Sequence, residues 1–336
     1  MTNTARGKGG DVPERLRVGI VGYGEMGKLH ARNFQATNLA EIVGICDIAD
    51  TGPDLPLGAR FVGSDYQALL EIPELDAVCI SSYDSAHFSQ VKLALEAGKH
   101  VFCEKPICRA RHELEILRWL VEQNPKLVFH CHLPMREIPA FRWLATAIRQ
   151  YDLGRIYAVD GDYLWGRLSK LTEGWRAKEQ PYSAMQGAAI HLADLMLMCL
   201  PGRSYRVSVE ANDISLCGRR IDAQTFVAAI YRFEDGAIGR LSANMGAQLP
   251  HRHRFAVYGT LGTFLFENGK AVHWSSRVDF GTSGEWYKKS DLGEWYDDLG
   301  LESAFLVQRF VCDALAGCSF SSPPFDATLA CMAADE

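Results

Sequence analysis

Three short clusters in this chain carry residues able to do chemistry. The first is Gly22-Tyr23-Gly24-Glu25-Met26-Gly27, a GxGxxG loop between an apolar run at 16–21 and a segment with helical spacing at Met26, His30 and Phe34. A second apolar run, 41–46, stops at Asp47. Strand, loop, helix, strand and carboxylate in that order make a dinucleotide site. The first glycine permits the tight turn, the second lets backbone approach a pyrophosphate, and the third allows close helix–strand packing, while helix N–H groups face the phosphates. Asp47 can accept both hydrogen bonds of an adenosine ribose diol and would repel a 2′-phosphate; Ile48, Ala49 and Asp50 add no cation. The expected cofactor is NAD rather than NADP.

The second cluster is Glu104-Lys105-Pro106, which ends another apolar run. A lysine there, partly desolvated and near the positive charge of oxidised NAD, has a lowered pKa and can accept an alcohol proton as the neutral amine. The third is His191, with Asp194 three residues on along the same helical face, placed to orient or charge-stabilise the imidazole. Tyr163, Trp165, Trp175 and Tyr182 precede that helix and together offer an apolar face on which a pyranose ring stacks. Arg167 or Arg176 would supply hydrogen bonds to its hydroxyls, a carboxylate or a phosphate. The pairs His130/His132 and His251/His253 each put two imidazoles on one face of a strand, but neither has partners at a zinc spacing, and no metal is expected. His132, at a strand end, is placed to contact substrate; His251 and His253 are expected to face solvent or a subunit interface.

The elements that must position these groups alternate. Apolar runs at 76–81, 100–104 and 127–131 read as strands, and 85–97 and 109–123 as helices. Such alternation implies right-handed crossovers and a parallel, doubly wound sheet, with ligands beyond the carboxyl ends of the strands. That rule gathers Gly22–Gly27, Asp47, Ser82–Asp84 and Glu104–Pro106 on one rim. After a helix at 140–149 the texture changes. Segments 155–165 and 205–272 are rich in β-branched and aromatic residues and read as meandering antiparallel strands, interrupted by a helix at 187–200. Further helices are expected at 301–315 and 325–334. The fold class is α/β, an N-terminal Rossmann doubly wound sheet with a C-terminal α+β open-sheet domain. The expected divisions are a mobile arm at 1–14, a nucleotide domain at 15–133, and a substrate-binding and oligomerisation domain at 134–336 whose C-terminal helix could return to the first.

With 336 residues the chain can bury two cores, and its 48% hydrophobic and 23% charged content is that of a globular protein. A net charge of −6 gives no reason to expect nucleic acid or an anionic membrane as partner. No apolar stretch approaches the ~20 residues of a spanning helix. Cys46, Cys79, Cys103, Cys131 and Cys199 sit in apolar runs without a CxxC, as reduced, buried thiols of a cytoplasmic protein would.

At Glu104-Lys105-Pro106 the chain resembles the glucose–fructose oxidoreductase / inositol dehydrogenase (Gfo/Idh/MocA) family. The resemblance runs from about residue 15 to 310 and takes in Gly22–Gly27, His30, Ser82–His87 (similar to the family's T-P-N-x-x-H), Arg136 with Pro139, Trp175-Arg176 and His191–Asp194. It implies an EKP motif beside the nicotinamide and an open sheet that forms homodimers or homotetramers. It further implies cofactor contacts from Ser82, Tyr83, His87, Glu104, Lys105, Trp175 and Arg176, and a substrate-contacting, proton-sharing His191 with Tyr163, Arg167, Asp194 and His132 nearby. The stretch 161–176 resembles members acting on sugars and amino sugars in glycan or natural-product pathways, aminoglycoside antibiotics included. The chain departs from the family at two places. An Asp common four residues before the motif histidine is Gly187 here, and the Asn of T-P-N-x-x-H is Asp84. The expected activity is NAD-dependent oxidation, or the reverse, of a ring secondary alcohol of a sugar, amino sugar or cyclitol. A redox-neutral hydrolase or epimerase that keeps NAD bound, or a non-catalytic NAD-binding paralogue, stays open beside it.

Overall fold

A computed structural model describes residues 15–49, 55–56, 58–276, 287–294, 299–317 and 325–335; the expected mobile arm, 1–14, lies outside them. The first sheet holds β1 (Leu16–Val21), β2 (Ala40–Cys46), β3 (Arg60–Phe61), β4 (Ala77–Ile80), β5 (His100–Cys103) and β6 (Phe129–Cys131), in the order β3-β2-β1-β4-β5-β6. Every pairing in it is parallel. β4 is buried along its whole length, as a strand covered on both faces must be. Helices α1 (Glu25–Ala36), α2 (Tyr66–Leu70), α3 (Asp84–Glu96) and α4 (Arg111–Gln123) connect the strands. Neither the two-residue β3 nor the five-residue α2 is long enough to leave a periodic trace in the sequence.

The second sheet comprises β7 (Ile156–Leu164), β8 (Tyr205–Asn212), β9 (Phe226–Phe233), β10 (Ile238–Asn244), β11 (Arg252–Gly259), β12 (Gly262–Glu267), β13 (Lys270–Ser276) and β14 (Tyr287–Glu294). Its order is β14-β13-β12-β11-β7-β10-β9-β8. The expected antiparallel meander is corrected at one place: β10 runs parallel to β7. The chain leaves β7 through helices, builds the far edge with β8 and β9, and comes back beside β7 in its original direction. Helix α5 (Pro139–Arg149) precedes β7, and the short α6 (Ser169–Thr172) and α7 (Ile190–Cys199) follow it. α7 is apolar on nearly every side and is correspondingly enclosed, from Ile190 through Met196.

The last two helices, α8 (Leu299–Ala316) and α9 (Phe325–Ala333), separate in their allegiance. α8 returns to the first sheet, where Phe310 packs edge-on against Phe34 and Phe102, so the second domain is not one continuous segment. α9 lies against the other core, its backbone at Ala330 accepting a hydrogen bond from the Tyr231 hydroxyl.

β7 alternates cleanly, turning Val159, Gly161 and Tyr163 inward and Asp160 and Asp162 outward. On the outer face Arg240 bonds Asp160 at 2.9 Å and Asp162 at 2.8 Å, while Arg254 reaches Asp162 at 3.1 Å. This cross-strand ladder fixes the register that carries Tyr163 into the interior. Burial pushes the Asp162 carboxyl up, but hydrogen bonds from Arg240, Ser242 and Arg254 outweigh it and hold it down at about 2. A depressed carboxylate stabilises the fold above its unfolded pKa and loses that contribution as pH falls through the folded one. With half-exposed arginines the expected cost of Asp162→Asn at neutral pH is about 1–2 kcal/mol. Urea unfolding should show that gap at pH 7 and its closure between about pH 4 and pH 2.

Candidate active site

A cleft of about 920 Å³ opens along the carboxyl ends of β1, β2, β4 and β5 and is roofed by residues 163–176 and by His191 and His251. Its nucleotide end is built by the glycine loop. Gly22 has φ +82°, and a side chain there would run into the backbone of Ser81. A side chain at Gly27 would strike the carbonyl of Gly22, whereas Gly24 faces open space. Two glycines thus serve packing and turn, and the middle one leaves room for a pyrophosphate against the N-terminus of α1. The Asp47 carboxylate accepts hydrogen bonds from the backbone of Tyr23 (2.5 Å) and Ala49 (2.7 Å), and still borders the cleft. These observations fit a bound dinucleotide with its adenosine ribose over Asp47.

At the inner end Glu104 is buried and its Oε1 meets His30 Nε2 at 2.8 Å and His132 Nδ1 at 2.9 Å. Burial pushes the Glu104 carboxyl up, but the two histidines outweigh it and hold it well below the usual range. An ionised carboxylate only accepts, so both imidazoles donate to it, and His132 Nε2 meets the Ser303 hydroxyl at 2.8 Å. The three groups lie close enough to share a cation, yet the hydrogen bonds already use the facing atoms. This pairing joins α1 and the rims of β5 and β6, a conjunction that no spacing in the chain announces.

Lys105 follows immediately, and its Nζ donates to the Gly187 carbonyl at 2.6 Å. That carbonyl belongs to a π-helical turn, Met185–Ala189, where the sequence reads as the start of a regular helix. Burial lowers the Lys105 pKa below 10.5, Asp84 acts in the opposite sense, and Arg176 reinforces the lowering. Burial also pushes His191 well below its usual value, with the charges of Lys105, His253 and His132 acting in the same direction. His191 is therefore neutral, and it stands against Tyr163 with the rings nearly parallel. Trp175 stacks on Tyr83 at 5.3 Å and the Arg176 guanidinium lies over Trp175 at 4.2 Å, which closes the cleft from the second domain.

The cofactor, substrate and catalytic residues expected from the sequence border this cleft, apart from Gly27, Asp194 and Tyr182; Tyr182, expected among the ring-stacking aromatics, instead lines a separate cavity. Gly27 is buried behind the loop. Asp194 does not orient His191: it is ion-paired to Arg136, Oδ2 to Nε at 2.5 Å and Oδ1 to Nη2 at 2.7 Å. His191 Nδ1 is buried without a hydrogen-bond partner among the described residues. Sharing a helical face was not enough, because a guanidinium outbids an imidazole for a buried carboxylate. The expectation for His251 and His253 is likewise corrected. His253 is buried, His251 borders the cleft, and both rings pack on Tyr163 at 4.7–5.1 Å. His87 borders the cleft as a brace, its Nδ1 2.7 Å from the Pro106 carbonyl. Lys28, Tyr66, Gln90 and Lys170 also line it, unforeseen: Gln90 accepts from Ser82 Oγ at 2.5 Å, the Tyr66 hydroxyl donates to the Gln90 backbone carbonyl at 2.8 Å, and Lys28 Nζ lies 5.6 Å from the Tyr23 ring centre.

If Asp47 takes the ribose diol, NAD should bind at least about tenfold more tightly than NADP, the scale of one charged hydrogen-bond pair. Asp47→Ala should narrow that gap by weakening NAD. Titration of both dinucleotides against the two proteins checks this, and equal affinities in the unaltered protein would refute it.

Comparison with known proteins bears on the family and the fold. Residues 16–132 match the oxidoreductase family with an NAD-binding Rossmann fold, and residues 141–265 match the GFO/IDH/MocA C-terminal domain. Levoglucosan dehydrogenase of Pseudarthrobacter phenanthrenivorans is 26% identical over 289 residues, 75% of this chain and 74% of that one. Myo-inositol 2-dehydrogenase of Thermotoga maritima is 22% identical over 316 residues, covering 90% and 89%. Among solved structures, levoglucosan dehydrogenase in complex with NADH and L-sorbose shares the fold with a TM-score of 0.82, at 22% identity over 96% of both chains. Scyllo-inositol dehydrogenase from Lactobacillus casei, with bound NAD(H) and scyllo-inositol, does so with 0.78 at 21% identity over 96% of both. Because the matched segments take in the nucleotide-binding sheet and most of the second, the chain belongs to the Gfo/Idh/MocA family of NAD-dependent oxidoreductases.

Proposed function

We propose that the protein oxidises a ring secondary alcohol of a sugar, amino sugar or cyclitol, or reduces the corresponding ketone. The observation that carries this reading is the meeting of Lys105, with its lowered pKa, and neutral His191 at the inner end of the dinucleotide cleft. NAD supplies the hydride acceptor when bound. Lys105 takes the hydroxyl proton as the free amine, and His191 holds the same oxygen through a neutral imidazole. Tyr163 and Trp165 give the ring an apolar wall, and Arg167 and Lys170 offer donors at its edge. Within that class, the resemblance of residues 161–176 to family members acting on sugars and amino sugars supports a substrate of a glycan or secondary-metabolite pathway, antibiotic aminoglycosides included, while the flanking cations suit hydroxyls or a carboxylate. The relatives named for levoglucosan and inositol oxidation support the broader class.

The reading extends to the setting of the enzyme. Among the described residues the cysteines form no disulfide, and Cys46, Cys79, Cys103, Cys131 and Cys199 are buried thiols. That supports a reducing compartment, the cytoplasm. No helix among the described residues is long and apolar enough to cross a membrane. The outer face of the second sheet leaves Ile230 at 47%, Ile238 at 39% and Trp274 at 36% exposure, around the Asp–Arg ladder. A second copy of the chain is the natural cover for it, in a homodimer or homotetramer. Light scattering at micromolar concentration should give a multiple of 37.3 kDa, and a monomeric mass would refute the assembly.

Levoglucosan, myo-inositol, scyllo-inositol, amino sugars and aminoglycosides offered with NAD should include an alcohol that yields NADH; silence across the panel would count against the assignment. With the productive alcohol, Lys105→Ala should lower single-turnover NADH formation about 10²–10⁴-fold while leaving NAD affinity nearly intact. Lys105→Arg should not restore it, because a guanidinium keeps its proton. The oxidation rate should rise with pH as the amine becomes neutral, with a midpoint below 10.5. An unchanged chemical step in Lys105→Ala would overturn the role given to this lysine.

A further inference from the structure

Asp84, the first residue of α3, borders two cavities at once. One is the cleft that holds Lys105. The other, about 280 Å³, lies behind Gly187 and is bounded by Pro106, Glu179, Tyr182 and Asp222. Among the described residues Asp84 is the only one common to both. Its carboxylate makes no hydrogen bond to the described residues. The partition between the cavities is Gly187 itself, whose carbonyl holds Lys105 Nζ at 2.6 Å. Tyr182 seals it: a side chain at Gly187 would collide with the Tyr182 hydroxyl, which accepts from Arg176 Nε at 3.2 Å. Ser85 ties the adjoining turn of α3 to Glu179 through its backbone N–H at 3.1 Å and its hydroxyl at 3.0 Å. The second cavity reaches solvent at the exposed residues Pro181, Asp222 and Gln224.

Each oxidation deposits a proton on Lys105, and that proton must leave before the next. With a dinucleotide and a ring filling the main cleft, water reaches the lysine poorly from that side. We propose that Asp84 carries the proton from Lys105 out to water in the second cavity. The alcohol O–H bond breaks toward Nζ while the carbon-bound hydride goes to the nicotinamide. An N–H bond of the resulting ammonium then breaks as the proton passes, through water in the cleft the two residues share, to the Asp84 carboxylate, and the carboxyl group releases it to water in the second cavity. Lysine returns to the amine and aspartate to the carboxylate, so the cycle needs no further reactant. This step rests on the proposed alcohol oxidation.

The electrostatic setting agrees with a poised carboxyl. Burial raises the Asp84 pKa, while His87, Lys105 and Arg176 draw it back and Glu179 raises it further. Lys105 in turn faces Asp84, Arg176, Glu104, Cys131 and His191, and Asp84 is the strongest of the charges that keep it protonated. Removing that charge therefore lowers the lysine pKa whether or not Asp84 passes the proton on, and rescue by a small base reads the relay itself.

The test uses the full chain and Asp84→Asn, with Asp84→Ser as a second variant should the first fold poorly. Without substrate, the pH titration of the Lys105 amine, followed by NMR after 13C reductive methylation, should move down by about one unit. With NAD and the alcohol that yields NADH, turnover in dilute buffer should fall at least about tenfold and recover on adding imidazole, a base small enough for the second cavity. Asp84→Glu should keep most of the rate. An unmoved lysine titration, or a loss of turnover that imidazole does not repair, overturns the proposal. If no alcohol in the panel yields NADH, the alcohol oxidation fails, while the substrate-free titration still decides whether Asp84 governs Lys105.

Discussion

The site depends on one buried carboxylate. Glu104 accepts from His30 on α1 and His132 beyond β6, and His132 goes on to Ser303 of α8. A charge in that position is tolerable only because it is hydrogen-bonded; leaving such a group short of a partner costs roughly 1–3 kcal/mol or more. The linkage locks the rim of the first sheet against the helix that returns from the far end of the chain. The next residue is Lys105, so the position of its amine is set by a network it does not join. A lysine on an untethered loop would swing into water, and its pKa would relax toward the ordinary value.

The second domain completes both the environment and the constellation. Residues 163–191 run from β7 past the stacked Trp175 and Arg176 to the π turn and then into α7. This strap places Tyr163 and His191 over the inner cleft and presents a backbone carbonyl, not a carboxylate, to Lys105. A carbonyl dipole steadies the ammonium less than a charge does, which leaves burial the dominant influence on the amine. The outer Asp–Arg ladder and the inner Tyr163 cluster occupy opposite faces of the same strand, so register and site geometry are coupled.

Local order made much of this legible from residues alone. The glycine loop, Asp47, the strand–helix alternation and the rim lysine each follow from spacing within a few dozen residues, because turn chemistry and buried parallel strands impose composition locally. The helices at 139–149 and 325–333 were readable for the same reason, within a residue or two of their ends. The segments that misled were those whose partners lie far away. Asp194 matched His191 on a helical wheel but met Arg136, 58 residues earlier. His251 and His253 looked like surface residues because the strand carrying them alternates, and alternation does not say which face meets the other domain.

The sequence by itself determined the nucleotide loop, the cofactor and the two kinds of sheet, and it singled out the lysine proposed as proton acceptor, because those depend on residue type and short-range geometry. Only the tertiary structure decided that β10 runs beside β7, that α8 returns to the first sheet, that Glu104 is held by two histidines, and that Asp84 borders two cavities. Those facts arise where segments distant in sequence compete for the same buried partner, and that competition is settled by packing and desolvation.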